Sequence, residues 1–475
     1  MKKFASLFLV VCLILTLAAC SEGAAPAGTT AAATQASSFR AGFGVVNITP
    51  DGEVNMAGYG DQKDRLNTGV ITYLEARAVA IIDENGDKMV FIVADTSFAY
   101  PNVGKETVKQ IAKKLDMPES HVILSGTHTH NSVATWETGN PDTVKFNDKY
   151  IDGCVEAAQM AFDDCSAAIV SVGSLQTENL NFVRRYYMDD GSLCGDGTSG
   201  TGTTIVSHET EADREAGLLK FDRETGDDIL VINFQAHPHL EGKLQALSAD
   251  TPAGVREAVE KKFGVKCLYW QGAAGNLNSY SRIEGETLTK SRKEYGELFA
   301  QQLSAVYDSM TPVQTGPIKV TETTYVGAAN HSDDHLLMEA SQVMDKFNSG
   351  VSIDECTQYA KSLGLNTFYH ARNIVNHAKL GDTYEMDISA FSFGDVAGIV
   401  VPYEMFDTSG MQIKEQSPFV KSFIIGYAYP GYQGYIPTEL AWQNGGYEVE
   451  TSNYGPGNAE KLVDAYLTLL NNLKK

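Results

Sequence analysis

The pentapeptide Gly126-Thr127-His128-Thr129-His130 follows directly on the apolar run Val122-Ile123-Leu124 and holds two imidazoles at a spacing suited to metal binding. Residues i and i+2 of an extended strand point to the same side, so His128 and His130 at a strand end are expected to converge on one ion. A second buried-strand pattern, Asp228 to Ala236, ends in His237-Pro238-His239. Open α/β sheets form their clefts at such strand ends. His237 follows its strand immediately and is the expected third ligand. His239, two residues on, would compete for the same coordination sphere and is read as a structural histidine.

Further short blocks accompany these two. They are Ala41-Gly42-Phe43-Gly44, Asn47-Ile48-Thr49-Pro50, Met56-Ala57-Gly58-Tyr59, Leu74-Glu75-Ala76-Arg77-Ala78, Asn233-Phe234-Gln235-Ala236-His237-Pro238, Val401-Pro402-Tyr403-Glu404 and Gly434-Tyr435-Ile436-Pro437-Thr438, with Tyr447-Glu448 and Tyr454-Gly455-Pro456 behind them. Their order from about Arg40 to Gly457 resembles the N-terminal catalytic domain of the neutral/alkaline ceramidases. The resemblance implies a zinc ion held by His128, His130, His237, Glu404 and Tyr435. Three neutral imidazoles with a carboxylate are a nitrogen and oxygen donor set that suits zinc, and an exchangeable position lets bound water ionise near neutral pH. Taken without the resemblance, Tyr435 reads as a packed aromatic and Glu404 as a surface carboxylate.

Two departures from the family's pattern bear on the chemistry. Where the family carries an active-site serine, this chain has Gln271-Gly272-Ala273-Ala274-Gly275-Asn276. Without that hydroxyl the expected nucleophile is zinc-activated water. The glycine-rich turn offers two readings: backbone N–H groups, that of Gly275 among them, that support an oxyanion together with Tyr435, or a plain turn. Asn276 is expected to face substrate. The family's Asn-Arg segment is matched only loosely, by Asn179 to Tyr186. Arg184 there is either a substrate contact or half of a solvated basic pair. Asp250 is either a carboxylate that orients a ligand histidine or the N-cap of a helix from Thr251 to Phe263, the second being the commoner case.

To position these residues the chain needs strands alternating with helices. Strand-like runs lie at Ala78–Ile82, Met89–Asp95, Val122–Leu124, Ala168–Val172, Ile229–Phe234, Cys267–Trp270 and Gly398–Val401. Helical periodicity lies at Lys105–Leu115, Tyr150–Phe162, Val255–Phe263, Ser291–Tyr307 and Ala459–Leu473. The expected fold is α/β, one large catalytic domain over residues 39–475 with a mixed central sheet flanked by helices and a helical insertion around 331–378. The chain stops one helix after Tyr454-Gly455-Pro456, so the immunoglobulin-like C-terminal domain of the family is expected to be absent.

The N-terminus has Lys2-Lys3, an apolar stretch to Ala19, and Leu17-Ala18-Ala19-Cys20, which resembles a bacterial lipobox. Residues 1–19 read as a lipoprotein signal peptide, Cys20 as the lipidated residue and 20–38 as a flexible tether. The expected location is the bacterial cell envelope, on the outer face of a membrane. A net charge of -23 disfavours nucleic acid and anionic surfaces as partners. Cys154, Cys165, Cys194, Cys267 and Cys356 are scattered and read as small buried apolar residues. The activity expected is zinc-dependent hydrolysis of an amide bond in an N-acylated, lipid-like substrate. The alternative is an inactive surface lipoprotein that binds a ligand or metal.

Overall fold

The computed structural model describes residues 38–59, 65–98, 101–136, 139–196 and 199–475. The expected signal peptide, Cys20 and all of the tether except Ser38 lie outside the described residues. Nine strands make the largest sheet. Its order is Lys266–Gln271, Ile229–Phe234, Glu215–Arg223, Ser166–Gln176, Arg40–Asn47, Glu75–Ile82, Lys88–Ala94 and Val122–Gly126, with Thr311–Pro312 alongside Ser166–Gln176. Both outermost pairs are parallel and the interior pairs antiparallel.

The strands read as continuous apolar runs because both faces of the sheet are covered. In Lys88–Ala94, Val90, Ile92 and Ala94 pack with helices Pro101–Leu115 and Pro141–Asp163, while Met89, Phe91 and Val93 point the other way. Val255 and Val259 of helix Asp250–Phe263 and Tyr295 and Phe299 of helix Arg292–Leu303 cover Ile232 and Phe234 in the same manner. The opposite face meets a second sheet, in the order Ile318–Ala328, Thr383–Phe393, Val396–Val400 and Lys421–Ile425. Phe391, Phe393, Val400 and Phe423 of that sheet share a core with Phe91 and Trp270. Helix Asn458–Lys474 closes its outer side through Leu462, Tyr466 and Leu470. The large mixed sheet with flanking helices is as expected; the second sheet was not anticipated beyond its one strand at Gly398–Val401.

The helical segment is present as Leu337–Asn348, Ile353–Ser362 and Phe368–His377. It leaves the second sheet at Ala328 and returns at Thr383, which are register partners. Ala340, Val343, Cys356, Phe368 and Ile374 give it a small core of its own. A capping box of Ser352 and Glu355 and the Thr367 hydroxyl, which accepts from the His370 N–H, start its second and third helices.

One connection decides where the site lies. The chain leaving Lys421–Ile425 is clasped by both edges of the large sheet: the Gly426 N–H donates to Gln271 O, the Gly126 N–H to Tyr427 O, and the Tyr429 N–H to Leu124 O. Asn233 adds a reciprocal pair with the backbone of Ile424. Edge strands that are distant in sheet order therefore end at one place.

Candidate metal centre

His128 and His130 follow one of those edge strands and His237 the other. Their ring nitrogens face one another, with His128 Nε2 3.0 Å from His237 Nε2 and 3.3 Å from His130 Nε2. Glu404 Oε2 lies 3.2 Å from His237 Nε2 and 3.4 Å from His128 Nε2. Among the described residues these three histidines form a group able to hold a metal ion. His239 stands outside it, with its Nε2 on Asn278 Oδ1 at 2.6 Å.

The tautomers are fixed from behind. His128 Nδ1 donates to Ser97 O at 3.0 Å and His237 Nδ1 to Ala274 O at 2.8 Å, which turns each Nε2 lone pair inward. His128 does not reach its place by strand alternation: the strand ends at Gly126 and His128 has φ +64°, in the left-handed region. A non-glycine residue held there costs on the order of 1 kcal/mol, a strain that clusters at functional sites.

The electrostatics suit a cation. Burial, with Arg184 adding to it, pushes His237 down to about 3. Burial and the neighbouring imidazoles hold His130 well below its ordinary value. Burial alone would raise Glu404, but His128 and His237 outweigh it and hold the carboxyl below the usual range. Glu404 Oε2 is buried with no hydrogen-bond partner among the described residues. Three imidazoles, two of them held below their ordinary ionisation, and an ionised, unsatisfied carboxylate converging on one point fit zinc.

Glu404 is placed by a two-residue parallel pairing, Glu404–Met405 with Tyr435–Ile436, which sets Glu404 beside Tyr435. The Tyr435 hydroxyl accepts from Arg184 Nη2 at 3.0 Å. Burial pushes its ionisation well above the phenol range, and Arg184 opposes that. Arg184 is no solvated residue: it is buried, its Nε donates to Glu448 Oε1 at 2.9 Å, and its Nη1 lies 3.4 Å from Asp196. Arg185 is equally buried, held by Glu209 and by Glu448 Oε2. His128, His130, Arg184, Glu404 and Tyr435 all line one cavity of about 630 Å³.

Three expected residues sit differently. The Gly275 N–H donates to Met405 O at 2.8 Å, so it is engaged and no oxyanion donor. A Cβ there would stand 2.5 Å from the Glu404 carbonyl oxygen, so glycine is needed for close approach. The Asn276 side chain is not among the described residues that line the cavity and exchanges hydrogen bonds with Asp407, donating to its Oδ1 and accepting from its N–H. Asp250 orients no histidine through its hydrogen bonds: its carboxylate accepts from the N–H groups of Glu241 and Thr251 at the start of helix Asp250–Phe263. Residues without an assigned role also enter the cavity wall, among them Asp196, Tyr447 and Phe98. Tyr447-Glu448 was visible as a motif block, while Asp196 and Phe98 gave no signal.

Fold and site together describe an α/β protein with a largely buried histidine group that can bind metal. Residues 39–267 match the N-terminal region of the neutral/alkaline non-lysosomal ceramidases. Neutral ceramidase A of Dictyostelium discoideum is 28% identical over 158 residues, 30% of this chain and 22% of that protein. Neutral ceramidase of Drosophila melanogaster is 31% identical over 97 residues, 20% of this chain and 14% of that protein. The match to the first thus spans about a fifth of that relative's length. The crystal structure of neutral ceramidase from Pseudomonas aeruginosa superposes with a TM-score of 0.67 at 17% identity, over 92% of this chain and 74% of that one, a likeness of fold.

Proposed function

We propose that this protein is a zinc-dependent hydrolase that cleaves an amide bond of an N-acylated substrate. The observation that carries the reading is the convergence of His128, His130 and His237 with the ionised Glu404 carboxylate beside a cavity. The relatives are named for ceramide, whose hydrolysis breaks an amide bond. A zinc ion bound by His128, His130, His237 and Glu404 would polarise the scissile carbonyl and acidify water at an open position.

The chain's own groups supply the rest. Ser97 O and Ala274 O fix the imidazole tautomers. The Tyr435 hydroxyl accepts from Arg184, so its own proton remains to be donated to the substrate oxygen as charge develops there. The Arg184 guanidinium, anchored by Glu448 and Asp196, offsets that charge. The loop Gln271 to Asn278 brings no hydroxyl, which makes water the nucleophile.

Protein purified without chelator is expected to hold stoichiometric zinc, and His237→Ala to lose metal and turnover together. Mass spectrometry of enzyme quenched during turnover should find no acyl adduct; an adduct on any side chain would overturn the water mechanism. Full zinc occupancy with no turnover of any amide or ester would make the protein a binding lipoprotein instead.

A further inference from the structure

One loop holds the metal group and its neighbour Arg184 through main-chain groups of four consecutive residues. Ala274 O accepts from His237 Nδ1 at 2.8 Å, and Leu277 O from the His237 N–H at 3.4 Å. Asn276 O accepts from the Arg184 N–H at 2.9 Å, and the Gly275 N–H donates to Met405 O, next to Glu404. His237 Nε2 and Glu404 Oε2 stand 3.2 Å apart yet come from distant parts of the sequence, so this loop sets how they meet. Ala273, Ala274 and Gly275 have side chains too small and apolar to fasten it. Asn276 fastens it instead: it is buried and exchanges two hydrogen bonds with Asp407, at 2.7 and 2.9 Å. Two neighbouring loop residues, Gly275 and Asn276, thus bind Met405 and Asp407, which fixes the register of the loop against the segment that carries Glu404. Asp407 is fully buried at the start of helix Asp407–Gln416. Its Oδ1 also accepts from the Thr408 N–H at 2.7 Å, and its Oδ2 from the Asp213 N–H at 3.0 Å.

We infer that Asp407 is a positioning residue of the metal centre: through Asn276 it holds the loop that orients His237 and keeps Glu404 in register with it. This rests on the zinc reading above and adds to it a residue whose hydrogen bonds go to none of the histidines and not to Glu404. An ionised carboxylate only accepts, and the three groups around Asp407 all donate. An asparagine in its place has a single oxygen. Whichever way its amide turned, an N–H would meet an N–H, and a buried donor would lose its partner. The loop could then slide along the Glu404 segment, and Ala274 O would leave His237 Nδ1. Groups that orient metal ligands in this way are worth about 10–100-fold in metal affinity.

The test measures zinc affinity of the full chain by chelator competition. Asp407→Asn is expected to bind zinc about tenfold more weakly than wild type. Asn276→Ala should lose as much, and the double variant no more than either alone, because both changes break one pair. With cobalt in place of zinc, Asp407→Asn should show a shifted visible spectrum, a mark of moved ligands that lower stability alone does not leave. Asp83→Asn is the control: that buried carboxylate also accepts from three backbone N–H groups, those of Asn85, Asp87 and Ile318, none of them in the metal group. It should unfold more readily and bind zinc as wild type does. Wild-type affinity in folded Asp407→Asn, additive losses in the double variant, or an equal loss in Asp83→Asn would overturn the inference. Where Asp407→Asn does not fold, the affinity of Asn276→Ala decides alone. A wild-type chain that binds zinc but turns over no amide or ester fails the hydrolase reading, while the affinities still decide the role of Asp407. A wild-type chain that binds no zinc fails the metal reading and the inference with it.

Discussion

Tyr427 shows how the metal group is held from behind. Its ring stacks on His128 at 4.0 Å and 22°, and the two residues share left-handed φ angles of +56° and +64°. Its hydroxyl is buried without a hydrogen-bond partner among the described residues, and Glu404 is the charge that acts on it most. Removing the ring leaves His128 free to leave a strained backbone. Tyr427→Ala is therefore expected to weaken zinc binding about tenfold in chelator competition, as loss of supporting contacts does elsewhere, while Tyr427→Phe keeps the stack and stays near wild type. Gly275 makes a second case. Gly275→Ser places a Cβ 2.5 Å from the Glu404 carbonyl, and denaturant unfolding should show a loss of about 1–3 kcal/mol. The three histidines were legible because strand ends and histidine spacing carry the signal. Glu404 and Tyr435 were reached only through the resemblance, since their two-residue pairing has no pattern. Gly275 and Asn276 were misplaced because a loop glycine or asparagine has the same sequence signature whether its polar atoms face substrate or the neighbouring chain.

At the scale of elements, the helical segment both roofs the cavity and is tied down beside it. Helix Phe368–His377 supplies Tyr369 and Arg372 to the wall, and its His370 lies between Asp333, with Nε2 3.1 Å from Oδ2, and Glu450 at 4.0 Å. Glu450 belongs to the short helix Tyr447–Glu450, which also carries the Arg184 partner Glu448. Burial opposes the charge on His370, but Asp333 and Glu450 outweigh it and raise its ionisation above 6.5. The hydrogen bond from His370 outweighs burial at Asp333 and lowers that group below 3.8. A raised histidine stabilises fully below its unfolded value and loses that contribution as pH climbs through the folded one. A lowered carboxylate does the reverse on the acid side. Burial holds the Glu450 carboxyl above its ordinary range, the Asp333 contribution is lost as pH falls below 3.8, and the His370 contribution is thus full below 6.5 and fades above it. Hydrogen exchange across residues 368–377, corrected for intrinsic rates, should show protection falling as pH rises past that point. His370→Gln should remove the dependence; an unchanged profile would refute the tie. The segment's helices were legible from their 3.6-residue period. The second sheet was not, because Ile318–Ala328 carries three Thr, one Lys and one Glu on a largely exposed face and betrays its pairing only through residues more than fifty positions away.

At the scale of the molecule, the shared core of the two sheets brings together the strand ends that carry the histidines, so its integrity sets the site's. Trp270, from an edge strand, meets Phe91 at 5.1 Å and Phe423 of the second sheet at 5.6 Å, all three almost fully buried. Trp270→Ala is expected to cost about 3–5 kcal/mol in denaturant unfolding and to lower zinc affinity as well, although Trp270 touches no ligand.

For location we propose a role for a different part of the chain. Among the described residues no helix is long and apolar enough to cross a membrane, so membrane attachment of this protein is proposed to rest on lipidation of Cys20 in Leu17-Ala18-Ala19-Cys20. Acyl chains contribute about 0.8 kcal/mol per buried CH₂, and stable anchoring takes more than one chain. A net charge of -23 adds nothing to attraction for an anionic surface. Cys20→Ala should therefore move the protein wholly from the membrane pellet to the soluble fraction while its zinc content and turnover stay unchanged, because the metal group is formed by His128, His130, His237 and Glu404. Retention of the variant in the membrane pellet would refute the lipid anchor, and loss of zinc on release would show that the tether reaches the site.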